Sequence, residues 1–213
     1  MRYIGNKTRL LSFILRTLER ERIPVGSVHD AFAGTASVGR ALKCEGWGVH
    51  SSDLLMSSYA FQRAYVVADS ADSSIGDMSE ELEKLAPVRG FISQYFSPAG
   101  GNASEGRMYF TPENAGRIDA SREMLETWRK GRKLSEDDYY LLLAAIIEGA
   151  DRVANTAGVY ASYMKQWQPN ARRAFQIDPL LPVKGSRQSK AYLMDAAEAA
   201  RAIGEVDLVY IDP

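Results

Sequence analysis

The chain has 213 residues, of which 46% are hydrophobic and 25% charged, and a formal net charge of −1. That is material for one sizeable core, or a core and a smaller lobe, and it excludes a uniformly basic nucleic-acid binder while leaving room for a local basic face. A single cysteine, Cys44, excludes an intrachain disulfide; Met1–Lys7 has no signal-peptide pattern, and the longest apolar run, Tyr139 to Ile147, is too short to span a bilayer, so a soluble cytoplasmic protein is expected.

The first predicted element is a helix from about Thr8 to Glu21, with Leu10, Leu11, Ile14, Leu15 and Leu18 on one face and Pro24 after its end. The turn before it is placed to deliver Lys7 to an anionic group. Val28 to Phe32 then reads as a strand, Ala33 to Ser37 as a tight small-residue turn, and the following residues as a helix to about Cys44. A strand that enters such a turn and leaves as a helix sets backbone N–H groups beside the strand's carboxyl end, the geometry that holds a nucleotide-like cofactor. The same pattern also serves as a packing device, and Ala36 stands where a dinucleotide fingerprint would place a second glycine. The next strand, Gly48–Asp53, ends in an acid about twenty residues on, suited to accept hydrogen bonds from both hydroxyls of a ribose.

Leu54 to Ala68 reads as a buried helix, Asp69 to Ser79 as a mobile connection, and Glu80 to Ala86 and Val88 to Phe96 as two short helices. A long loop, Ser97 to Gly106, follows. Thr111-Pro112-Glu113 caps a helix running to about Lys130, and Ser135 to Asp138 opens another through about Val153, apolar nearly all round and so deeply buried.

From Tyr160 to Lys190 the cations Lys165, Arg172, Arg173, Lys184, Arg187 and Lys190 stand against Asp178 alone, interleaved with Tyr160, Tyr163, Trp167 and Phe175. The composition suits nucleic-acid phosphates and bases, and equally a solvated loop pinned to the core by its aromatics. Ala191 to Asp195 is a short predicted strand, Ala196 to Ile203 a helix, and Val206 to Asp212 an apolar strand before Pro213. Three predicted strands thus end in acids, Asp53, Asp195 and Asp212. A parallel sheet would gather them at the edge where ligands bind.

Arg2-Tyr3-Ile4-Gly5-Asn6-Lys7, Asp30-Ala31-Phe32-Ala33-Gly34-Thr35-Ala36-Ser37 and Val209-Tyr210-Ile211-Asp212-Pro213, in that order, resemble the motifs of the Dam-like class of S-adenosylmethionine-dependent N6-adenine DNA methyltransferases. Tyr109 to Ala115 and Ala154 to Tyr160 resemble further segments of that family, so the likeness covers nearly the whole chain. It implies an α/β fold with a Rossmann-like methyltransferase sheet, incomplete at the C-terminus, and a largely helical insertion. The cofactor and catalytic domain is expected at residues 1–60 and 187–213, with residues 61–186 as the insertion for DNA recognition.

By the same resemblance, Tyr3 and Lys7 lie near the methionine end of the cofactor, and Phe32, Ala33, Gly34 and Thr35 form its turn. Asp53 takes the ribose, Asp195 faces the cofactor adenine, and Asp212 and Pro213 begin the family's Asp-Pro-Pro-Tyr. Lys165, Arg172, Arg173, Lys184, Arg187 and Lys190 are the expected DNA contacts, the partner being double-stranded DNA with a flipped adenine. No metal is required, and no His/Cys ligand cluster is present. Two departures stand out. Ala36 replaces the usual second glycine, and the family's second proline and tyrosine lie past Pro213, so a truncated methyltransferase able to bind cofactor but not to methylate is expected. A methyltransferase of the same fold acting on RNA or protein amides, and a non-catalytic DNA-binding module, are the competing readings.

Overall fold

The computed structural model describes residues 7–98, 106–158 and 160–213. Tyr3 and most of the loop from Ser97 to Gly106 lie outside them. The chain forms two compact units, one chiefly Asp72–Pro179, the other built from Gly5–Ala71 and Leu180–Pro213.

The discontinuous unit holds a sheet of four parallel strands in the order β3-β2-β1-β4: β1 Ser27–Asp30, β2 Gly48–Asp53, β3 Lys190–Leu193 and β4 Leu208–Tyr210. Among the described strands this is the α/β architecture that the sequence implied. Helix α1 (Leu11–Arg20), preceded by a 3-10 turn at Thr8–Leu10, comes first. Its predicted apolar face is only partly covered, with Leu10 exposed and Leu11, Ile14, Leu15 and Leu18 half-buried. β1 lies between β2 and β4 and is closed off from water, with Val28, His29 and Asp30 all buried. Ser52 Oγ donates its one proton to the Ala31 carbonyl at 3.0 Å, so the contact of His29 Nε2 with the same oxygen, 2.9 Å, requires the ring proton on Nε2. Burial and His50 nearby lower the His29 pKa, which keeps the ring neutral.

Helix α2 (Ser37–Cys44) returns from β1 to β2 across the sheet. A Cβ on its Gly39 would stand 3.0 Å from Val66 Cγ2 and 3.3 Å from Asp30 Oδ2, so any other residue would push these neighbours back by a few tenths of an ångström. Helix α3 (Met56–Gln62) runs on as a π turn over Arg63–Val67. The expected buried helix from Leu54 to Ala68 therefore starts late, and Leu54, Leu55 and Met56 are exposed. From Phe61 to Val66 the side chains are mostly buried, and the π turn packs on α2 and β3.

That packing explains why the chain leaves this unit at Ala71 and returns at Leu180, whereas the expectation had set the limits at 60/61 and 186/187. The ends are further tied by Lys43. Its side chain is wholly buried, and its ammonium donates to the Ala68 carbonyl at 2.6 Å and pairs with Asp69 Oδ1 at 2.8 Å. The same Asp69 oxygen accepts the Gly185 N–H at 2.9 Å, so one carboxylate holds both the outgoing and the incoming chain. Helix α8 (Ala196–Ile203), capped by Asp195, then links β3 to β4.

In the Asp72–Pro179 unit the helices are α4 (Ile75–Glu83), α5 (Phe91–Tyr95), α6 (Pro112–Lys130) and α7 (Glu136–Val153). Helix α4 begins inside the stretch read as a mobile connection. Asp72 Oδ1 accepts from the N–H and hydroxyl of Ser74, and the Asp72 N–H donates to Asp138, so the polar run is an ordered helix entry. Thr111 and Ser135 cap α6 and α7 as expected, and α7 is buried on most sides. Two buried asparagines fasten the segment after α7. Asn155 donates to the Met108 and Met164 carbonyls and accepts from Gln168, and Asn114 donates to the Ala171 and Arg173 carbonyls and accepts from Phe175. A Cβ on Gly149 would overlap the Gln176 carbonyl oxygen, so the segment lies directly on the helix.

The two partners of the Lys43–Asp69 pair differ in exposure, 0% and 54% for their side chains. Removing the acid leaves the buried ammonium its bond to the Ala68 carbonyl but no counter-charge, a loss of about 1.5–3 kcal/mol, whereas Lys43→Met replaces it with an apolar chain of like volume and frees an acid that water can reach. Urea denaturation is expected to place Asp69→Ala below Lys43→Met by at least about 1.5 kcal/mol; the reverse order would mean that water reaches the ammonium.

Candidate functional site

All four strands point the same way, so their carboxyl ends share one edge, and β1 and β4 adjoin where the strand order reverses direction. Such a switch point opens a crevice between the loops that leave in opposite directions. β1 delivers the chain into the turn Phe32-Ala33-Gly34-Thr35-Ala36. Gly34 (φ 51°) and Ala36 (φ 57°) are both left-handed, and the turn closes through Ala36 N–H to the Ala33 carbonyl at 2.7 Å. The left-handed conformation costs a non-glycine residue about 1–2 kcal/mol, while burial of one methyl returns about 0.8 kcal/mol. Ala36 is completely buried, so the turn accommodates the departure from glycine by placing its methyl in the core. Phe32 is exposed above it.

Asp53 fixes this turn from the neighbouring strand. Its Oδ2 accepts the Gly34 N–H and its Oδ1 the Leu55 N–H, both at 2.9 Å. Each oxygen keeps a second lone pair, so the carboxylate organises the turn and still has acceptor capacity for a ligand hydroxyl. Asp195, half a turn past β3, caps α8 by accepting from the N–H groups of Ala197 and Glu198. It is exposed at the same edge.

The reading from sequence missed a fourth acid. Asp30 ends β1 and is 1% exposed, and among the described residues neither carboxylate oxygen makes a full hydrogen bond. Burial, then the charges of Asp212 and Asp53, raise its pKa to about 7, with the Gly39 and Phe32 N–H groups tempering the effect. The signal was available, because Asp30 obeys the same strand-end rule that singled out Asp53 and Asp212.

Beyond β4, Asp212 is half-buried and ion-paired, its Oδ2 lying 2.7 Å from Lys7 Nζ. Lys7 thus does reach an anionic group, one from the other end of the chain. Pro213 is exposed next to it. The edge therefore brings together Lys7, Asp30, Phe32 to Ala36, Asp53, Asp195 and Asp212. A set with four carboxylates and a lysine suits a cationic ligand. Among the described residues no group of three or more His, Cys, Asp or Glu could hold a metal ion, and no helix is long and apolar enough to cross a membrane.

The six expected DNA contacts do not stay together. Lys165, Arg172 and Arg173 belong to the Asp72–Pro179 unit, where they are exposed on the segment that Asn114 and Asn155 fasten, and Tyr160 and Tyr163 pack on Tyr109. Arg173 lines an open cavity of about 350 Å³ with Arg152 and Asn170. Lys184, Arg187 and Lys190 belong to the sheet unit. There Arg187 donates to the Gly46 carbonyl at 2.8 Å and Lys190 opens β3, so both stand where strands begin, away from the carboxylate edge. The two central family-like segments do meet, through the Asn155 N–H and the Tyr109 carbonyl at 2.8 Å.

The model of the D12 class N6 adenine-specific DNA methyltransferases matches residues 3–213. The chain is 34% identical to the type II methyltransferase M.NlaIII of Neisseria lactamica over its whole length, covering 64% of that protein. It is 30% identical to the type II methyltransferase M.CviAII of Paramecium bursaria Chlorella virus 1, covering 63%, and 31% identical to the modification methylase StsI of Streptococcus sanguinis, covering 33%. The chain therefore spans between one third and just under two thirds of the length of these relatives. No solved structure matches it. With a match along nearly all its residues, a parallel sheet and the strand-end acids at one edge, the chain belongs to the family of D12 class N6 adenine-specific DNA methyltransferases.

Proposed function

We propose that the sheet edge is an S-adenosylmethionine site joined to an adenine-activating end, and that the protein methylates the N6 amine of adenine in double-stranded DNA in the cytoplasm. The observation that carries this reading is the convergence of Asp53 and Asp212 on either side of the β1 turn, with Asp30 buried beneath it without a full hydrogen bond. When bound, S-adenosylmethionine supplies a sulfonium methyl that a nitrogen nucleophile takes up, leaving a neutral thioether. Phe32 to Thr35 and the start of α2 would hold its length, Asp53 would accept from the ribose hydroxyls, and Asp195 would face its adenine. Lys7 would stand at its methionine end, and the buried Asp30 charge would favour its cation.

An exocyclic adenine amine is a weak nucleophile because its lone pair is delocalised into the ring. The Asp212 carboxylate and the Pro213 carbonyl accept its two N–H bonds, which frees the lone pair and orients it. Positioning and electrostatics supply most of the gain. Reaching that amine in a duplex requires the base to leave the stack. Exposed Lys165, Arg172 and Arg173 are the phosphate contacts that the fold supports best.

Titration calorimetry of S-adenosylmethionine into this chain tests the site. Saturable binding is expected, weakened at least tenfold by Asp53→Ala, which also destabilises the fold by about 2 kcal/mol because the Gly34 and Leu55 N–H groups lose their acceptor. A folded chain without saturable binding refutes the site.

The Asp30 titration gives a second check. Its pKa is raised from 3.8 to about 7 on folding, so between those limits the folded state holds more protons than the unfolded one. Stability must then fall as pH rises through this window, by up to about 1.4 kcal/mol per unit from this group alone. Asp30→Asn is expected to flatten that slope in denaturation experiments from pH 4 to 8. It should also remove a tightening of S-adenosylmethionine binding between pH 6 and 8.

For DNA, replacing Lys165, Arg172 and Arg173 together with alanine should reduce the slope of log affinity against log salt by about 2–3, as read by anisotropy of a labelled duplex. An unchanged slope assigns phosphate binding elsewhere.

A further inference from the structure

We infer that Tyr210 is a positioning residue for Asp212: its hydroxyl, together with the Lys7 ammonium, holds one carboxylate oxygen so that the other is presented to the adenine amine. The inference rests on the adenine-methylating reading above and adds to it a residue outside the acid–proline pair.

Residues two apart on a strand project to the same face. Tyr210 and Asp212 obey this spacing at the end of β4, while Val209 and Ile211 project oppositely and are exposed. The Tyr210 hydroxyl donates to Asp212 Oδ2 at 3.1 Å, and Lys7 Nζ meets the same oxygen at 2.7 Å. Among the described residues no donor reaches Oδ1. The terminal torsion of an aspartate is broad, so a carboxylate with one donor still rocks about its Cβ–Cγ bond. Two donors arriving from different elements, one on β4 and one ahead of α1, narrow that motion and aim the remaining lone pairs. The backbone beneath is equally constrained, because the Tyr210 carbonyl accepts the Ala31 N–H at 3.1 Å.

The phenol is a dependable donor. Burial, then the hydrogen bond to Asp212 and the charges of Asp212 and Asp30, push its pKa up to about 12, so it keeps its proton at every pH at which the protein works. A lysine alone would supply charge without fixed direction, since an ammonium rotates freely on a flexible stem. The tyrosine adds direction.

The test has two arms, both on the full 213-residue chain. In the first, tyrosine labelled with carbon-13 at Cζ is titrated by NMR, the Tyr210 signal being assigned by its loss in Tyr210→Phe. The expected result is a titration near pH 12 that falls by a unit or more in Asp212→Ala and stays in place in Asp53→Ala. In the second, single-turnover methylation of duplex DNA is followed in Tyr210→Phe. The transfer rate is expected to drop at least tenfold, with S-adenosylmethionine and DNA affinities within twofold of the parent and an unchanged melting temperature. A Tyr210 titration indifferent to Asp212→Ala overturns the inference, as does a normal transfer rate in Tyr210→Phe. If the parent chain binds S-adenosylmethionine but transfers no methyl group to DNA, the NMR arm decides the positioning contact by itself, and a chain without saturable cofactor binding refutes the functional reading.

Discussion

Like charges brought to one edge of a parallel sheet are the constraint on which this structure turns. A parallel topology must place every strand's carboxyl end together, and here the ends carry Asp30, Asp53 and Asp212 within electrostatic reach of one another. Each acid meets the crowding in its own way. Asp53 accepts two backbone N–H groups, Asp212 takes an ammonium and a phenol, and Asp30, buried without a full partner, raises its pKa. The conformation of the turn, the position of Lys7 and the direction of Asp212 are all consequences of that distribution.

Much of the fold was legible because its local signals are strong and agree with one another. Gly48–Asp53 and Ala196–Ile203 have the limits read from the sequence, and the caps at Thr111 and Ser135 start their helices where capping chemistry placed them. The readings that failed did so where tertiary context overrides composition. The run Asp72-Ser73-Ser74 looks like linker material, yet Asp138 and the Asx-type bonds of Asp72 turn it into a helix entry. Leu54, Leu55 and Met56 look like core, yet they are exposed. The π turn after Gln62 has no signature in pattern or propensity, since one extra residue per turn is decided by packing.

The site was legible to the extent that it follows strand ends. Asp53 and Asp212 came from that rule, while Asp30 was passed over as a strand residue although it satisfies it. Two facts had no sequence signal. The Lys7–Asp212 pair joins residues from opposite ends of the chain, and the division of the six cations between two units depends on where the sheet unit ends. Composition counts charges along the chain. It does not say which of them share a surface.

The tether at Lys43 has a wider implication. Asp69 and Gly185 are held within a few ångströms of one buried ammonium, so everything between them is, to the sheet, a closed loop with fixed ends. Closing entropy grows only logarithmically with length, about 0.6 kcal/mol per doubling. The sheet unit is therefore nearly indifferent to how much chain is housed between those two residues. It behaves as a socket, tolerant of a longer or shorter intervening segment without rebuilding the carboxylate edge.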